Sequence, residues 1–195
     1  MPESAPVPAP VPNAMDADLA RTVVSSEAIQ RRVAELAALI SRDYANVDRE
    51  GGLVVVPVMT GAFMFLADLV RHLPQRIRVS VVTVSSYPGQ STASKGAALV
   101  GMLPGNLTGR HVLVIDDILD SGQTLRLLRG EIERRGPRSL RCAVLLRKPI
   151  PAASDIPCEY VGFDIPDEFV VGYGLDYDGY YRNLPYIGSL KESAR

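Results

Sequence analysis

The stretch VLVIDDILDSGQTL, residues 112–125, combines an apolar run, a turn of small polar residues and the start of a helix. The first four residues of the stretch are apolar, which is typical of a strand buried on both faces of a parallel sheet. After Leu125, the apolar residues Leu127, Leu128 and Ile132 recur at helical spacing between polar ones. The sequence therefore predicts an α/β fold in which this strand leads directly into a helix.

The turn between this strand and its helix is rich in acids and small polar residues. These are Asp116, Asp117, Asp120, Ser121, Gly122, Gln123 and Thr124. The first amides of a helix lack internal partners and carry the positive end of its dipole, so they attract anions. The P-loop spacing GxxxxGK[ST] is absent. Two adjacent acids could cap the strand end, but they would repel each other without a counter-ion. We therefore predict a phosphate site whose acids bind sugar hydroxyls or a divalent cation.

The segment IDDILDSGQTL at 115–125 resembles the phosphoribosyl-diphosphate (PRPP) signature of type I phosphoribosyltransferases. Three further segments are similar to the hypoxanthine-guanine branch of this family: SSYPGQSTAS at 85–94, LLRKP at 145–149 and YVGFDIPDEFVVGYGLDYDGYYRNLPYIG at 160–188. The resemblance covers about residues 22 to 190. It implies a Rossmann-like parallel sheet flanked by helices, with a small C-terminal hood and a flexible loop.

The resemblance implies a purine salvage enzyme that transfers the 5-phosphoribosyl group of PRPP to N9 of hypoxanthine or guanine, giving IMP or GMP and pyrophosphate. The 5′-phosphate would bind to the turn 120–124, and the ribose hydroxyls and Mg²⁺ would lie near Asp116 and Asp117. Asp120 is the expected general base near purine N7. Two alternatives remain open: a PRPP-sensing regulator without turnover, and a preference for xanthine. The retained Asp120 and the lack of a basic stripe count against the regulator.

Purine recognition is implied for residues after two later strands. Lys148 matches a lysine that donates to the 6-oxo group, and adenine is disfavoured there because it presents its own donor. Tyr160 is expected to stack on the purine, and the backbone at Val161 and Asp167 to read its edge. The Asp167 side chain would reach a second Mg²⁺. From the residues alone, Lys148 could be a surface lysine, Tyr160 a core aromatic and Asp167 a turn former.

Pyrophosphate binding is implied for the loop after a second apolar run, LVVVPV at 53–58. In the family the backbone at Thr60 and Gly61 binds pyrophosphate, often with a cis peptide bond, here between Met59 and Thr60. Arg182 matches an arginine that also contacts pyrophosphate. The relatives carry Lys or Arg where this chain has Thr60, so we expect weaker pyrophosphate binding here.

The segment 88–105 is rich in Gly, Ser and Ala and follows a predicted long strand at 78–87. Such a segment could be a plain connection or a β-hairpin arm. The resemblance implies instead a flexible loop, with Ser86 and Tyr87 at its root, that closes over the reacting sugar and excludes water.

Bulk properties are those of an ordinary enzyme or binding domain. The net charge of −1 gives no reason to expect nucleic acid or an anionic membrane as a partner. No apolar run approaches the ~20 residues that span a bilayer, and two cysteines without CxxC spacing suit reduced thiols in the cytoplasm. We expect a disordered Pro/Ala-rich tail at 1–18 and one domain at 19–195. The expected partners are small-molecule substrates and further copies of the chain, in a homodimer or homotetramer.

Overall fold

The structure is a computed structural model that describes residues 13–47, 52–85, 98–100, 103 and 105–195. The strands are β1 (Leu19–Val24), β2 (Leu53–Met59), β3 (Ile77–Val79), β4 (Val82–Ser85), β5 (Ala98–Val100), β6 (His111–Leu119), β7 (Ser139–Arg147), β8 (Tyr160–Asp164), β9 (Val170–Val171) and β10 (Ile187–Leu190). The helices are α1 (Ser26–Asp43), α2 (Phe63–Arg71) and α3 (Gln123–Glu133), and 3-10 turns cover Ala14–Asp18, Pro151–Ala153 and Glu192–Ala194.

Within the described residues, seven strands form the main sheet, in the order β5-β4-β2-β6-β7-β8 with β3 also paired to β2. Every pair is parallel except β4 with β5. The predicted parallel α/β sheet is thus confirmed. The carboxyl ends of β2, β6 and β7 lie side by side, with Pro57 opposite Ile115 and Ile118 opposite Leu146. In such sheets, ligands bind in the crevice beyond these ends.

The two faces of the sheet pack against different helices because side chains alternate along each strand. One face, with Val55 and Leu113, packs against α1 and α2, and the other, with Val56 and Val114, packs against α3. The apolar stripe predicted for α1 is buried as expected: Ile29, Val33, Leu36, Ala37 and Ile40. Ser25 caps this helix by accepting a hydrogen bond from the amide of Ala28.

The C-terminal hood is a separate antiparallel sheet in the order β1-β10-β9. It joins both ends of the domain, because Leu19 pairs with Leu190.

The folded part also begins earlier than the predicted boundary at residue 19. Residues 14–18 form a 3-10 turn instead of belonging to a disordered tail, because Asn13 caps the turn and the hydroxyl groups of Tyr186 and Tyr181 bind Asp16 and Asp18.

The long strand predicted at 78–87 is interrupted in the structure. Its described part forms β3 and β4, which pair with opposite ends of β2 and leave Ser80 and Val81 between them. This interruption lies opposite Val56 and Pro57, and proline has no backbone N–H to donate to a neighbouring strand. In the part of the chain that the structure describes, no helix is long and apolar enough to cross a membrane.

Candidate active site

The turn after β6 presents the free amino end of a helix. Helix α3 begins at Gln123, and its N-cap is Gly122 in a left-handed conformation with φ of 76°, without a capping side chain. The first amides of α3 are therefore open to a ligand. Glycine is favoured at this position because the left-handed φ strains any other residue, and an added Cβ would also stand 2.0 Å from Cδ1 of Ile156.

A cavity of about 360 Å³ lies over this turn at the carboxyl ends of the strands. Besides Val84 of β4, three separate segments line it. They are the end of β2 with Thr60 and Gly61, the whole run from Asp116 to Leu125, and Asp176 with Arg182 from the hood. The structure thus brings together the predicted phosphate turn, the acidic pair, the predicted pyrophosphate loop and Arg182. The peptide bond between Met59 and Thr60 is cis, as predicted.

The acidic pair at the end of β6 consists of a buried carboxylate, Asp116, and a half-buried one, Asp117. Oδ1 of the buried Asp116 accepts a hydrogen bond from the Asp117 amide at 3.0 Å. Asp117 accepts the amide of Ile118 at 2.8 Å. Burial and the neighbouring Asp117 charge raise the pKa of Asp116 well above its usual value. Burial also raises the pKa of Asp117, although hydrogen bonds with Asp116 and with the backbone, and to a smaller extent the charge of Arg182, oppose this shift. A ligand that supplies positive charge or hydroxyl donors would therefore stabilise both carboxylates.

The hood is fitted tightly against the loop after β2. A Cβ added to Gly174 would stand 2.1 Å from the carbonyl oxygen of Gly61. Arg182 secures this segment, because its Nη1 donates to the carbonyl of Gly174 at 2.6 Å and its Nη2 pairs with Asp176 at 2.8 Å. The guanidinium is thereby held in the cavity next to the acidic pair.

Lys148 follows β7 and is only 10% exposed, which rules out the alternative of a solvated surface lysine. Its Nζ lies 3.5 Å from Asp120 Oδ2 and 3.3 Å from Asp167 Oδ1. Its backbone amide donates to the carbonyl of Leu119 at 3.0 Å, which ties it to the end of β6. The structure therefore groups Lys148 with two of the predicted site residues.

The expectation that Tyr160 stacks on a purine is wrong. Tyr160 is 4% exposed and lies in the core at the start of β8, opposite Ala143 in the middle of β7. Its hydroxyl group donates to Asp43 at 2.9 Å and accepts from Arg141 at 2.6 Å. The alternative that Tyr160 is a core aromatic is therefore confirmed, because the register of β8 places it away from the carboxyl ends of the strands.

The backbone contacts of Val161 and Asp167 to a base stay predictions, whereas the side chain of Asp167 does not lie where a role in binding Mg²⁺ would place it. The carbonyl of Val161 accepts a hydrogen bond from Arg32 of α1, at 3.0 Å, so it is engaged on the helix side of the edge strand. Asp167 is not among the residues that line the cavity with Asp116 and Asp117, because its carboxylate pairs with Lys148 instead. In this arrangement the Asp167 carboxylate contacts Lys148 and not the acidic pair.

Asp176 lines the cavity in the place expected for Asp167, and the sequence did not reveal it. The segment LDYDGYY offers two acids, Asp176 and Asp178, without a periodicity that distinguishes them. The only local signal is Arg182 six residues later, which pairs with Asp176.

Among the described residues, no three His, Cys, Asp or Glu side chains converge as a complete metal site. The predicted loop residues Ser86 and Tyr87 lie outside the described residues.

Comparisons with known proteins identify relatives along most of the chain. Residues 21–178 match the phosphoribosyl transferase domain. The chain is 44% identical over 176 residues to the hypoxanthine-guanine phosphoribosyltransferase of Mycobacterium tuberculosis, covering 89% of this chain and 87% of the relative. It is 41% identical over 168 residues to the hypoxanthine phosphoribosyltransferase of Haemophilus influenzae, covering 86% of this chain and 93% of the relative. A crystal structure of a Staphylococcus aureus hypoxanthine phosphoribosyltransferase superposes with a TM-score of 0.83 at 40% identity, covering 93% of this chain and 96% of that one.

Proposed function

The chain belongs to the phosphoribosyltransferase family, and on this basis we propose that it is a purine salvage enzyme that transfers the 5-phosphoribosyl group of PRPP to N9 of hypoxanthine or guanine. The products are IMP or GMP and pyrophosphate. One observation carries this proposal: the uncapped start of α3 opens into the same cavity as the acidic pair and Arg182. That cavity offers anion-binding and hydroxyl-binding groups side by side, as a phosphorylated sugar requires.

The ligand groups are assigned to the three segments of the cavity. The 5′-phosphate binds to the amides and hydroxyl groups of the turn 120–124. The ribose hydroxyls donate to Asp116 and Asp117. The pyrophosphate lies against the backbone at Thr60 and Gly61, with Arg182 as the nearby cation. These assignments are supported by the chemistry of each segment: free amides for the phosphate, carboxylates for hydroxyl groups and a guanidinium for the diphosphate.

The residues present fit Mg²⁺ as a cofactor. This ion is bound in proteins through one or two carboxylates together with substrate phosphates, so it does not require a complete protein cage. Asp116 and Asp117 are adjacent carboxylates whose raised pKa values reflect burial, and Asp176 is a third acid on the same cavity. When bound, the ion would neutralise charge on the departing pyrophosphate.

Lys148 and Asp120 act on the base in this proposal. The ammonium group of Lys148 donates to the 6-oxo group, which selects 6-oxopurines over adenine. Asp120, which is half-exposed at the cavity, takes the proton near N7 as N9 attacks C1 of the ribose. The aromatic partner of the base is then Phe169 instead of Tyr160. Phe169 is 36% exposed and follows two residues after Asp167, which contacts Lys148.

Catalysis in this mechanism is mainly positioning and charge stabilisation. N9 displaces pyrophosphate through an oxocarbenium-like transition state, and the fixed amides and Arg182 stabilise the charge that develops on the leaving group. The closing loop with Ser86 and Tyr87 at its root, proposed by resemblance, would exclude water from the reacting sugar.

The proposed assembly and location follow from exposed apolar residues and from the cysteines. We propose a homodimer or homotetramer, and the exposed Val79 and Val81 at the edge of the main sheet support an interface there. Light scattering on the purified chain tests this. A cytoplasmic location is supported by the two free cysteines, Cys142 and Cys158.

The decisive experiment measures nucleotide formation from PRPP and Mg²⁺ with hypoxanthine, guanine, xanthine or adenine. We expect turnover of 6-oxopurines but not of adenine, and a loss of about 10²- to 10⁴-fold in kcat for Asp120→Asn. Asp155→Asn is the matched control, because Asp155 is an exposed acid paired with Arg126 on the outer side of α3. PRPP binding by calorimetry without turnover of any base would refute the enzyme and support the regulator.

A further inference from the structure

The ammonium group of Lys148 is shared between two carboxylates from different segments. Its Nζ lies 3.3 Å from Asp167 Oδ1 and 3.5 Å from Asp120 Oδ2. The lysine side chain is almost buried, whereas the side chains of Asp120 and Asp167 are 52% and 62% exposed. At nearly equal distances the two carboxylates attract the ammonium with similar strength, so its position depends on both of them.

Asp167 is held close to Lys148 by the sheet. It lies in the turn after β8, and the amide of Ile165 at the start of this turn donates to the carbonyl of Arg147 at 2.9 Å. Arg147 is the last residue of β7 and directly precedes Lys148. The backbone hydrogen bond between the two strand ends therefore fixes the separation of the acid and the lysine, and the side chains need to span only a short gap.

We propose that Asp167 is a positioning residue that holds the Lys148 ammonium at the edge of the purine, against the attraction of Asp120. This inference rests on the proposed function, in which Lys148 donates to the 6-oxo group and Asp120 takes a proton near N7. Without the charge at Asp167, the ammonium is attracted to Asp120 alone and moves towards the phosphate turn. The base then loses its donor, and the proton acceptor is occupied by an ion pair.

The test compares Asp167→Asn with Asp164→Asn in steady-state kinetics. Asp164 is a matched control because it is also exposed, lies at the end of β8, which directly precedes the turn with Asp167, and pairs with an exposed arginine, Arg147, at 2.6 Å. We expect Asp167→Asn to raise KM for hypoxanthine roughly two- to fivefold, the range expected for a partly exposed ion pair. KM for PRPP should stay unchanged, and Asp167→Glu, which keeps the charge, should recover most of the affinity for the base.

A double-mutant cycle distinguishes action through Lys148 from a general structural effect. In a Lys148→Met background, Asp167→Asn should raise KM for hypoxanthine no further, because the group that it positions is absent. Equal kinetics of Asp167→Asn and Asp164→Asn, or additive effects in the cycle, would overturn the inference while the wild-type enzyme remains active. A wild-type protein without turnover would refute the proposed function itself.

Discussion

The carboxylate of Asp117 rests directly against Gly61, so closely that a Cβ atom added to the glycine would stand 1.8 Å from Asp117 Oδ2. This contact joins the loop after β2 to the acidic pair after β6, and the two segments lie 56 residues apart in the numbering. Gly61 also touches the hood, since its carbonyl oxygen faces Gly174. The position of one carboxylate therefore depends on the absence of a side chain in a different loop.

We expect Gly61→Ala to lower kcat/KM for PRPP by about tenfold or more. The methyl group would displace the Asp117 carboxylate, and small misplacements of groups that position a substrate have large effects on rate. The measurement is steady-state kinetics with PRPP as the varied substrate. Gly130→Ala is the control, because a Cβ added to this glycine of α3 would meet no atom within 4 Å. It should leave activity unchanged and stabilise the helix by about 0.5–1 kcal/mol. Wild-type kinetics for Gly61→Ala would contradict the argument.

Replacing Phe169 tests the corrected assignment of the aromatic residue. Stacking of a base on an aromatic side chain contributes about 1–3 kcal/mol, so Phe169→Ala should raise KM for hypoxanthine by about 5- to 150-fold. For Tyr160 we expect the opposite result. Because this residue is buried, Tyr160→Phe should lower the free energy of unfolding without a selective effect on KM for the base. Urea unfolding and kinetics of both variants separate the two effects. The hood aromatic Tyr180, which is 70% exposed, supplies the control Tyr180→Ala.

The local parts of the site follow from the sequence, whereas the parts that depend on register do not. The phosphate turn was predictable because strand, glycine and helix start are consecutive residues. The choice between Tyr160 and Phe169 was not, because both lie in one aromatic-rich segment and only the pairing of β8 with β7 separates them. The partner that fixes Tyr160 in the core, Asp43, is 117 residues away in sequence. Asp176 was not predictable for the same reason, because its position in the cavity depends on how the hood packs against the loop after β2.

A cation at position 60 should strengthen pyrophosphate binding. Thr60 lines the cavity, and the arginine of that cavity, Arg182, already pairs with Asp176 and Gly174. We expect Thr60→Lys to lower the inhibition constant of pyrophosphate by about 10- to 150-fold, because a hydrogen bond to a charged group contributes about 1.5–3 kcal/mol. Thr22→Lys on β1, where the side chain is exposed, adds the same charge away from the cavity. An unchanged inhibition constant in Thr60→Lys would show that main-chain contacts dominate.

The two cysteines make stability fall in alkaline solution. Burial raises the pKa of Cys142 to about 11 and that of Cys158 to about 12, from an ordinary value of 9.0. The folded state therefore keeps both thiol protons above pH 9, whereas the unfolded chain releases them. Since stability falls with pH wherever the folded state binds more protons, it should decrease from pH 9 towards pH 11, by about 1.4 kcal/mol per pH unit for each thiol.

Urea unfolding at pH 8.0, 9.0 and 10.0 measures this decrease, and Cys142→Ala/Cys158→Ala is the comparison. The double variant lacks both thiols, so its stability should change less between pH 9 and 10 than that of the wild type, whatever its stability at pH 8. Buried tyrosines contribute only at higher pH, because ordinary tyrosine ionises near 10 and burial raises the pKa of Tyr44 to about 12. Equal pH dependence in both proteins would mean that the thiols ionise as readily in the folded state as in the unfolded one, and that the burial of Cys142 does not control its proton.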